Sequence, residues 1–159
     1  MIDFTALYQA HAAELFRFAL YLCGNRTDAE DICSETFVRA FAASDTIRAD
    51  TIRAYLFTIA RHLYLHDLRG KRPRTEVSEE WPDMQAGPEQ RVVDRDELAG
   101  VLRALQQLPE LDRAALLMRA VHGLPYEEIA AALSISLSAA KVKIHRARLA
   151  LSTHRSTRL

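Results

Sequence analysis

Residues Leu124 to Leu151 read LPYEEIAAALSISLSAAKVKIHRARLAL. Pro125 can open a helix, because its missing N–H would be unpaired in a first turn anyway. Tyr126, Ile129, Ala130 and Leu133 then share the buried side of a short helix. Ser134-Ile135-Ser136 makes a turn, with Ile135 plugging the core and Ser136 well suited to cap the next helix. In that second helix Leu137, Ala140, Ile144, Ala147 and Leu151 fall on one narrow face at about 100° per residue. The opposite face is centred on Ser138, Val142, His145 and Leu149, flanked by Lys141 and Arg146. Small residues on the inner face let two helices pack closely. This is helix-turn-helix geometry, in which the N-terminal half of the second helix enters the major groove of DNA.

Reach divides the roles on that helix. Ser138, Ala139, Lys141, Val142 and His145 are placed to meet base edges, Val142 by apolar contact alone, for instance with a thymine methyl. Lys143, Arg146 and Arg148 suit phosphates, which add affinity without sequence information. The bland alternative is an amphipathic hairpin with a solvated basic face.

The whole chain of 159 residues has no formal net charge, so its overall charge names no partner; the distribution of charge does. From Glu76 to Glu97 the acids are Glu76, Glu79, Glu80, Asp83, Glu89, Asp94, Asp96 and Glu97, against Arg91 and Arg95. After Glu128 no acid occurs, while Lys141, Lys143, Arg146, Arg148, Arg155 and Arg158 follow. An acidic middle and a basic tail point to one surface made for a polyanion. Few glycines and abundant Ala, Leu and Arg favour helix over sheet. Cys23 and Cys33 lie inside helical patterns without CxxC spacing and read as small buried apolar residues. No stretch reaches the roughly 18 apolar residues of a membrane span, and the N-terminus is not a secretory signal, so a cytoplasmic protein is expected.

The remaining patterns are helical too. Thr5 to Leu22 repeats apolar residues at Leu7, Leu15, Phe18, Ala19 and Leu22, and Gly24-Asn25 ends it. Asp28 is the expected cap of a second helix, with Glu30 and Asp31 in its first turn and an inward face of Ala29, Ile32, Cys33, Thr36, Phe37 and Ala40. A polar loop, Ser44 to Asp50, precedes a third helix over about 51–69 that buries Ile52, Leu56, Ile59 and Leu63. Residues 75–88 form an acidic linker around Trp81, broken by Pro82, Gly87 and Pro88. Beyond it, 89–108 puts Leu98, Val101, Leu102, Leu105 and Leu108 on one stripe, and a further helix spans Asp112 to His122 before Gly123. The expectation is an all-α chain: two small helical domains, 1–74 and 89–159, joined by a flexible acidic linker, 75–88.

LPELDRAALLMRAVHGLPYEEIAAALSIS…AKVKIHRARLAL resembles the region-four domain of extracytoplasmic-function (ECF) sigma factors of bacterial RNA polymerase. DAEDICSETFVRAF (28–41) resembles the polymerase-binding helix of their region-two domain, and RAYLFTIARHLYLHDLRGKRPR (53–74) their promoter-melting helix with its basic end. The resemblance covers nearly the whole chain, in order. It implies that Asp28, Glu30, Asp31, Ser34 and Glu35 lie on or beside the surface that grips the clamp coiled coil of core polymerase. It places Tyr55 and His62 at the upstream edge of the minus-ten element, where the family often has Trp and Asn. It assigns Arg61, Arg69, Lys71, Arg72 and Arg74 to the minus-ten DNA backbone. Residues 44–53 match the segment that captures a flipped base, at a cost of a few kcal/mol that a pocket and stacking offset. Ser134 stands where Gly is usual, and Ala139 and Val142 where Thr and Ser are common, which points to an unusual minus-thirty-five preference. The implied protein is a dissociable initiation factor acting with core RNA polymerase on promoter DNA and regulated by an anti-sigma factor. It carries out no covalent chemistry and needs no cofactor.

Two other classes compete. A stand-alone helix-turn-helix regulator that binds operators as a dimer leaves the first domain unexplained. A metal or redox protein draws on His62 and His66, spaced i, i+4 beside Asp67, but there is no HExxH motif and no further ligand pair. No nucleophile–base constellation supports an enzyme.

Overall fold

Asp3 starts the first helix, α1 (Phe4–Cys23), its carboxylate accepting from the Thr5 N–H at 3.2 Å. Gly24 ends it in the left-handed conformation (φ 75°), which a side chain would strain. The cap of α2 (Arg26–Ala42) is Asn25, three residues earlier than the expected Asp28: its side-chain oxygen accepts from the Asp28 N–H at 2.9 Å. Gly24 supplies the reversal and Asn25 the extended capping conformation, so the two-residue turn leaves Asp28 inside the helix and buried. α3 (Ile52–Asp67) closes a three-helix unit around Leu15, Phe18, Leu22, Phe37, Leu56, Phe57 and Leu63. The structure is a computed structural model and describes residues 3–43, 51–67 and 88–157. Residues 44–50 of the expected base-capturing segment 44–53, the linker residues 75–87 with Trp81, and Arg69, Lys71, Arg72 and Arg74 lie outside the described residues.

The second unit comprises α4 (Pro88–Gln106), α5 (Glu110–Leu116), α6 (Tyr126–Leu133) and α7 (Leu137–Thr157). The expected 112–122 helix begins two residues earlier and widens into a π-helical turn over Leu117–Val121, where the His122 N–H reaches the Leu117 carbonyl at 3.2 Å. Gly123, at φ 68°, then breaks the chain direction. In α6 and α7 the expected inner faces form: Ile129, Ala130, Leu133, Ala140, Ile144 and Ala147 are buried, and Ser136 caps α7 by accepting from the Ala139 N–H at 3.0 Å. Ser134 takes the left-handed turn conformation at φ 56°. Two apolar expectations fail: Val101 and Leu137 are exposed, although the rest of their stripes packs on the core.

All described secondary structure is helical. The two units share one continuous apolar core rather than standing apart. α1 and α3 form one wall of the seam between them; α4, α5, the π turn and α6 form the other.

Candidate nucleic-acid interface

α7 presents the surface that its sequence pattern promises. Ser138, Lys141, Val142, His145, Arg148 and Leu149 are exposed, and Ala139 is half-buried at the first turn. Against α6, Lys141 Nζ sits 5.5 Å from the centre of the Tyr126 ring, whose other contact is the Arg119 guanidinium at 4.2 Å. This ties the recognition helix to the preceding one without burying its outer face.

Two cations of α7 also point inward. Arg146 makes a fork-like pair with Asp112 of α5, at 2.7 and 2.9 Å, and Lys143 approaches the same carboxylate at 3.7 Å. Asp112 is buried, and the hydrogen bond from Arg146 holds its carboxyl below the usual carboxylate range. A buried carboxylate left alone would be costly, so the pair fixes how α7 rolls on α5. Arg146 remains 58% exposed beyond that contact. Lys143, 22% exposed, is chiefly a positioning residue.

On α3 the arrangement differs. His62 is exposed and Tyr55 is half-buried in the core margin. Arg61, the one described cation of the minus-ten set, forms a two-pronged pair with Glu110 at the start of α5, at 2.6 and 3.0 Å, and is 14% exposed. The pair crosses the seam.

Polar contacts cross the seam beside its apolar core. Gln106 donates to the Tyr21 and Leu22 carbonyls at 3.3 Å each, and Arg113 donates to the Leu22 carbonyl and to the Tyr64 hydroxyl. α1 carries no basic residue in its own last turn, so a buried arginine from the other unit complements the negative end of its dipole. His122 packs against the Phe18 and Phe57 rings, 5.8 and 4.7 Å from their centres, with Nδ1 3.4 Å from Glu14. Burial pushes its pKa down to about 4, although Glu14 pulls the other way. Burial also raises Glu14, but Arg53 and His122 outweigh it and hold Glu14 below its ordinary value. Arg53 meets Glu14 at 3.1 Å and donates to the His122 carbonyl. Sequence periodicity does not single out Glu110, Arg113 or His122. One signal is present: Arg113 directly precedes an apolar run, Ala114 to Met118, and a charge that enters the core beside such a run demands a polar partner.

On α2, Glu30, Asp31, Ser34 and Glu35 are exposed and Asp28 is buried beneath them. Glu30 and Glu35 pair with Arg26 and Arg39 one turn away, at 2.8 and 3.2 Å. Exposed i, i+4 pairs of this kind are worth about 0.3–0.5 kcal/mol, so a partner displaces them easily. Cys23 and Cys33 are free thiols whose pKa values burial pushes up to about 12 and about 11, far from a reactive thiolate. Among the described residues no cluster of three or more His, Cys, Asp or Glu is placed to hold a metal, and no helix is long and apolar enough to cross a membrane.

Family models for sigma-70 region 2 and sigma-70 region 4 match residues 7–74 and 98–151. The chain is 36% identical over 153 residues to the ECF RNA polymerase sigma factor SigL of Mycobacterium tuberculosis, covering 92% of this chain and 85% of that protein. It is 35% identical over 153 residues to the ECF RNA polymerase sigma factor SigE of Mycolicibacterium smegmatis, covering 93% of this chain but 60% of that relative's length. Among solved structures it is similar to CnrH in complex with the cytosolic domain of CnrY, at 28% identity and a TM-score of 0.75, over 97% of this chain and 88% of that one. The sigma factor RpoE of Bartonella quintana, solved with the anti-sigma factor NepR, shares the fold at 24% identity and a TM-score of 0.77, over 95% of each chain.

Proposed function

The chain belongs to the extracytoplasmic-function sigma factors of bacterial RNA polymerase, and from that premise we propose how its surfaces divide the work of promoter-specific initiation. The observation that carries the proposal is the pairing, in one chain, of the open outer face of α7 with a first unit whose α2 displays acids on its solvent side. Glu30, Asp31, Ser34 and Glu35 dock core polymerase, an acidic exposed face suiting a basic partner. Asp28, buried below them, shapes the start of that helix rather than touching the partner.

Ser138, Ala139, Lys141, Val142 and His145 read the minus-thirty-five element, and Arg148 with the outer edge of Arg146 holds its phosphates. Tyr55, Arg61 and His62, with Arg69, Lys71, Arg72 and Arg74, meet the minus-ten element, where the duplex is opened and a base is extruded. Two weak grips held at a fixed separation gain from effective concentration, so each half needs the polymerase to be useful. The factor catalyses no covalent step and acts where the polymerase is, in the cytoplasm. By analogy with the NepR-bound and CnrY-bound proteins, an anti-sigma factor regulates it.

Mobility shift of promoter duplex with and without core enzyme tests the proposal. The protein alone should shift duplex poorly, and core plus protein should shift it specifically. Nanomolar binding by the protein alone, unchanged by core enzyme, would instead identify a stand-alone regulator.

A further inference from the structure

We infer that α7 reads its minus-thirty-five element through the 5-methyl group of one pyrimidine, with Val142 as the residue that decides specificity. Thymine and 5-methylcytosine are then both accepted at that position, and uracil and cytosine are disfavoured. The inference rests on the assignment of α7 to minus-thirty-five DNA and goes beyond it by naming the chemical group recognised. Position on the helix selects Val142. At about 100° per residue it stands almost directly opposite the middle of the buried stripe of Ala140, Ile144 and Ala147. It is 58% exposed, and Leu149, 56% exposed, continues the same line two turns on. A single exposed valine is ordinary on a protein surface. What surrounds Val142 makes it decisive.

The polar groups that specify particular bases are missing from the centre of the face. α7 contains no Asn or Gln to pair with adenine and no Asp or Glu to accept from cytosine. Guanine is read by a guanidinium or ammonium, and the cations of α7 stand to the sides. On one flank Arg146 has both prongs on Asp112, at 2.7 and 2.9 Å, and Lys143 approaches the same carboxylate at 3.7 Å. On the other flank Lys141 Nζ lies 5.5 Å from the centre of the Tyr126 ring, and Arg148 falls about a third of a turn from Val142. Such flanking charges grip phosphates and carry no sequence information. Ser138 and His145 remain beside Val142, both exposed. Each can donate or accept, so neither separates the O4 acceptor of thymine from the amino donor of cytosine. The difference left to read is apolar, and the pyrimidine 5-methyl is the apolar group on the major-groove edge. A 5-methylcytosine presents the same methyl as thymine, so cytosine methylation at that position is read as a gain.

The test uses the full-length chain on core polymerase and minus-thirty-five duplexes taken from a promoter that this holoenzyme transcribes. Each thymine is replaced in turn by uracil. One position should stand out, its replacement weakening binding roughly fourfold, the value of one buried methyl. With a guanine-paired cytosine at that position, 5-methylcytosine should bind better than cytosine by a similar factor. Val142→Ala, at an exposed position that the fold does not need, should bring both ratios close to one. Arg148→Ala should weaken binding to all of these duplexes alike and leave both ratios unchanged. Wild-type holoenzyme that treats uracil and thymine alike at every position, or Val142→Ala that keeps the wild-type ratios, overturns the inference and leaves the sigma assignment standing. A thymine–uracil ratio of that size with no gain from 5-methylcytosine over cytosine overturns it too, because the exocyclic group would then decide. Core enzyme that ignores the chain removes the sigma assignment and the inference with it, a result read separately from any duplex.

Discussion

Two helices carry the side chains assigned to promoter DNA, and the fold treats them differently. On α7 the polar side stands in solvent: Lys141, His145 and Arg148 are exposed opposite a buried face of Ala140, Ile144 and Ala147. On α3, His62 is exposed, but Arg61 is taken by Glu110 of the second unit. Both helices are amphipathic in sequence. A polar stripe tells that a residue is outside its own unit's core; it does not tell that the residue meets water. In this structure the outer side chains of α7 are open to solvent, while Arg61 is paired within the chain.

The largest expected effect comes from the residue that both the first unit and the seam rest on. Phe18 is fully buried, 4.6 Å ring to ring from Phe57 and in contact with His122. Phe18→Ala should cost about 3–5 kcal/mol in denaturant unfolding. By hydrogen exchange it should loosen α3 and the seam more than the α6–α7 pair.

The α7 side has its own support in Asp112. Asp112→Ala should cost about 2 kcal/mol, the range for charge-assisted hydrogen bonds. It should also weaken binding of the polymerase-bound factor to minus-thirty-five duplex, although the change removes a negative charge. Tighter binding would mean that Arg146 and Lys143 serve DNA and not the roll of the helix.

Gly24 lies on the seam at φ 75°, and a Cβ there would meet the Gln106 side chain at 3.0 Å. Gly24→Ala should cost about 1–2 kcal/mol from the left-handed backbone alone, more if Gln106 cannot move. Circular dichroism melts check this value.

Acid should act on the seam before it acts on α7. Folded His122 titrates at about 4 instead of 6.5, so between those values the unfolded chain binds a proton that the folded chain does not. Its contribution is fully present above about 6.5 and is lost as pH falls toward about 4. Glu14, whose folded value is lowered, loses the stability of its Arg53 pair in the same direction at lower pH still. The charged groups facing His122 are Glu14, Arg17 and Arg53. Chemical-denaturation stability measured from pH 7 to pH 4 should therefore decline, and His122→Phe should flatten the upper part of that decline. The smallest effect is expected at the exposed end: Arg148→Ala should lower the salt slope of minus-thirty-five binding by about one, with no change in stability.

The helices themselves were legible because their apolar residues recur every three or four positions, as at Leu15, Phe18, Ala19 and Leu22 or Ala140, Ile144 and Ala147. Caps were legible where one residue dominates, as at Ser136. They were misjudged by a few residues where Asn25 and Asp28 are both good candidates, because the tight reversal at Gly24 decides between them. The outer face of α7 was legible for the same reason as its inner one. The seam was not. It is assembled from single polar residues of several helices, Gln106, Glu110, Arg113 and His122, none of which repeats with any period. Lys143 and Arg146 illustrate the same limit: a cation on a basic helix reads as a phosphate contact until Asp112 is seen beneath it.

Run-off transcription with purified core polymerase on a library of genomic fragments tests the central claim most directly. Added factor should yield transcripts with a small set of discrete start sites, each preceded by a shared pair of upstream sequences. Charge reversal at Glu30, Asp31 and Glu35 together should abolish them. Core enzyme that forms no complex with this chain and gives the same transcripts with and without it would contradict the account.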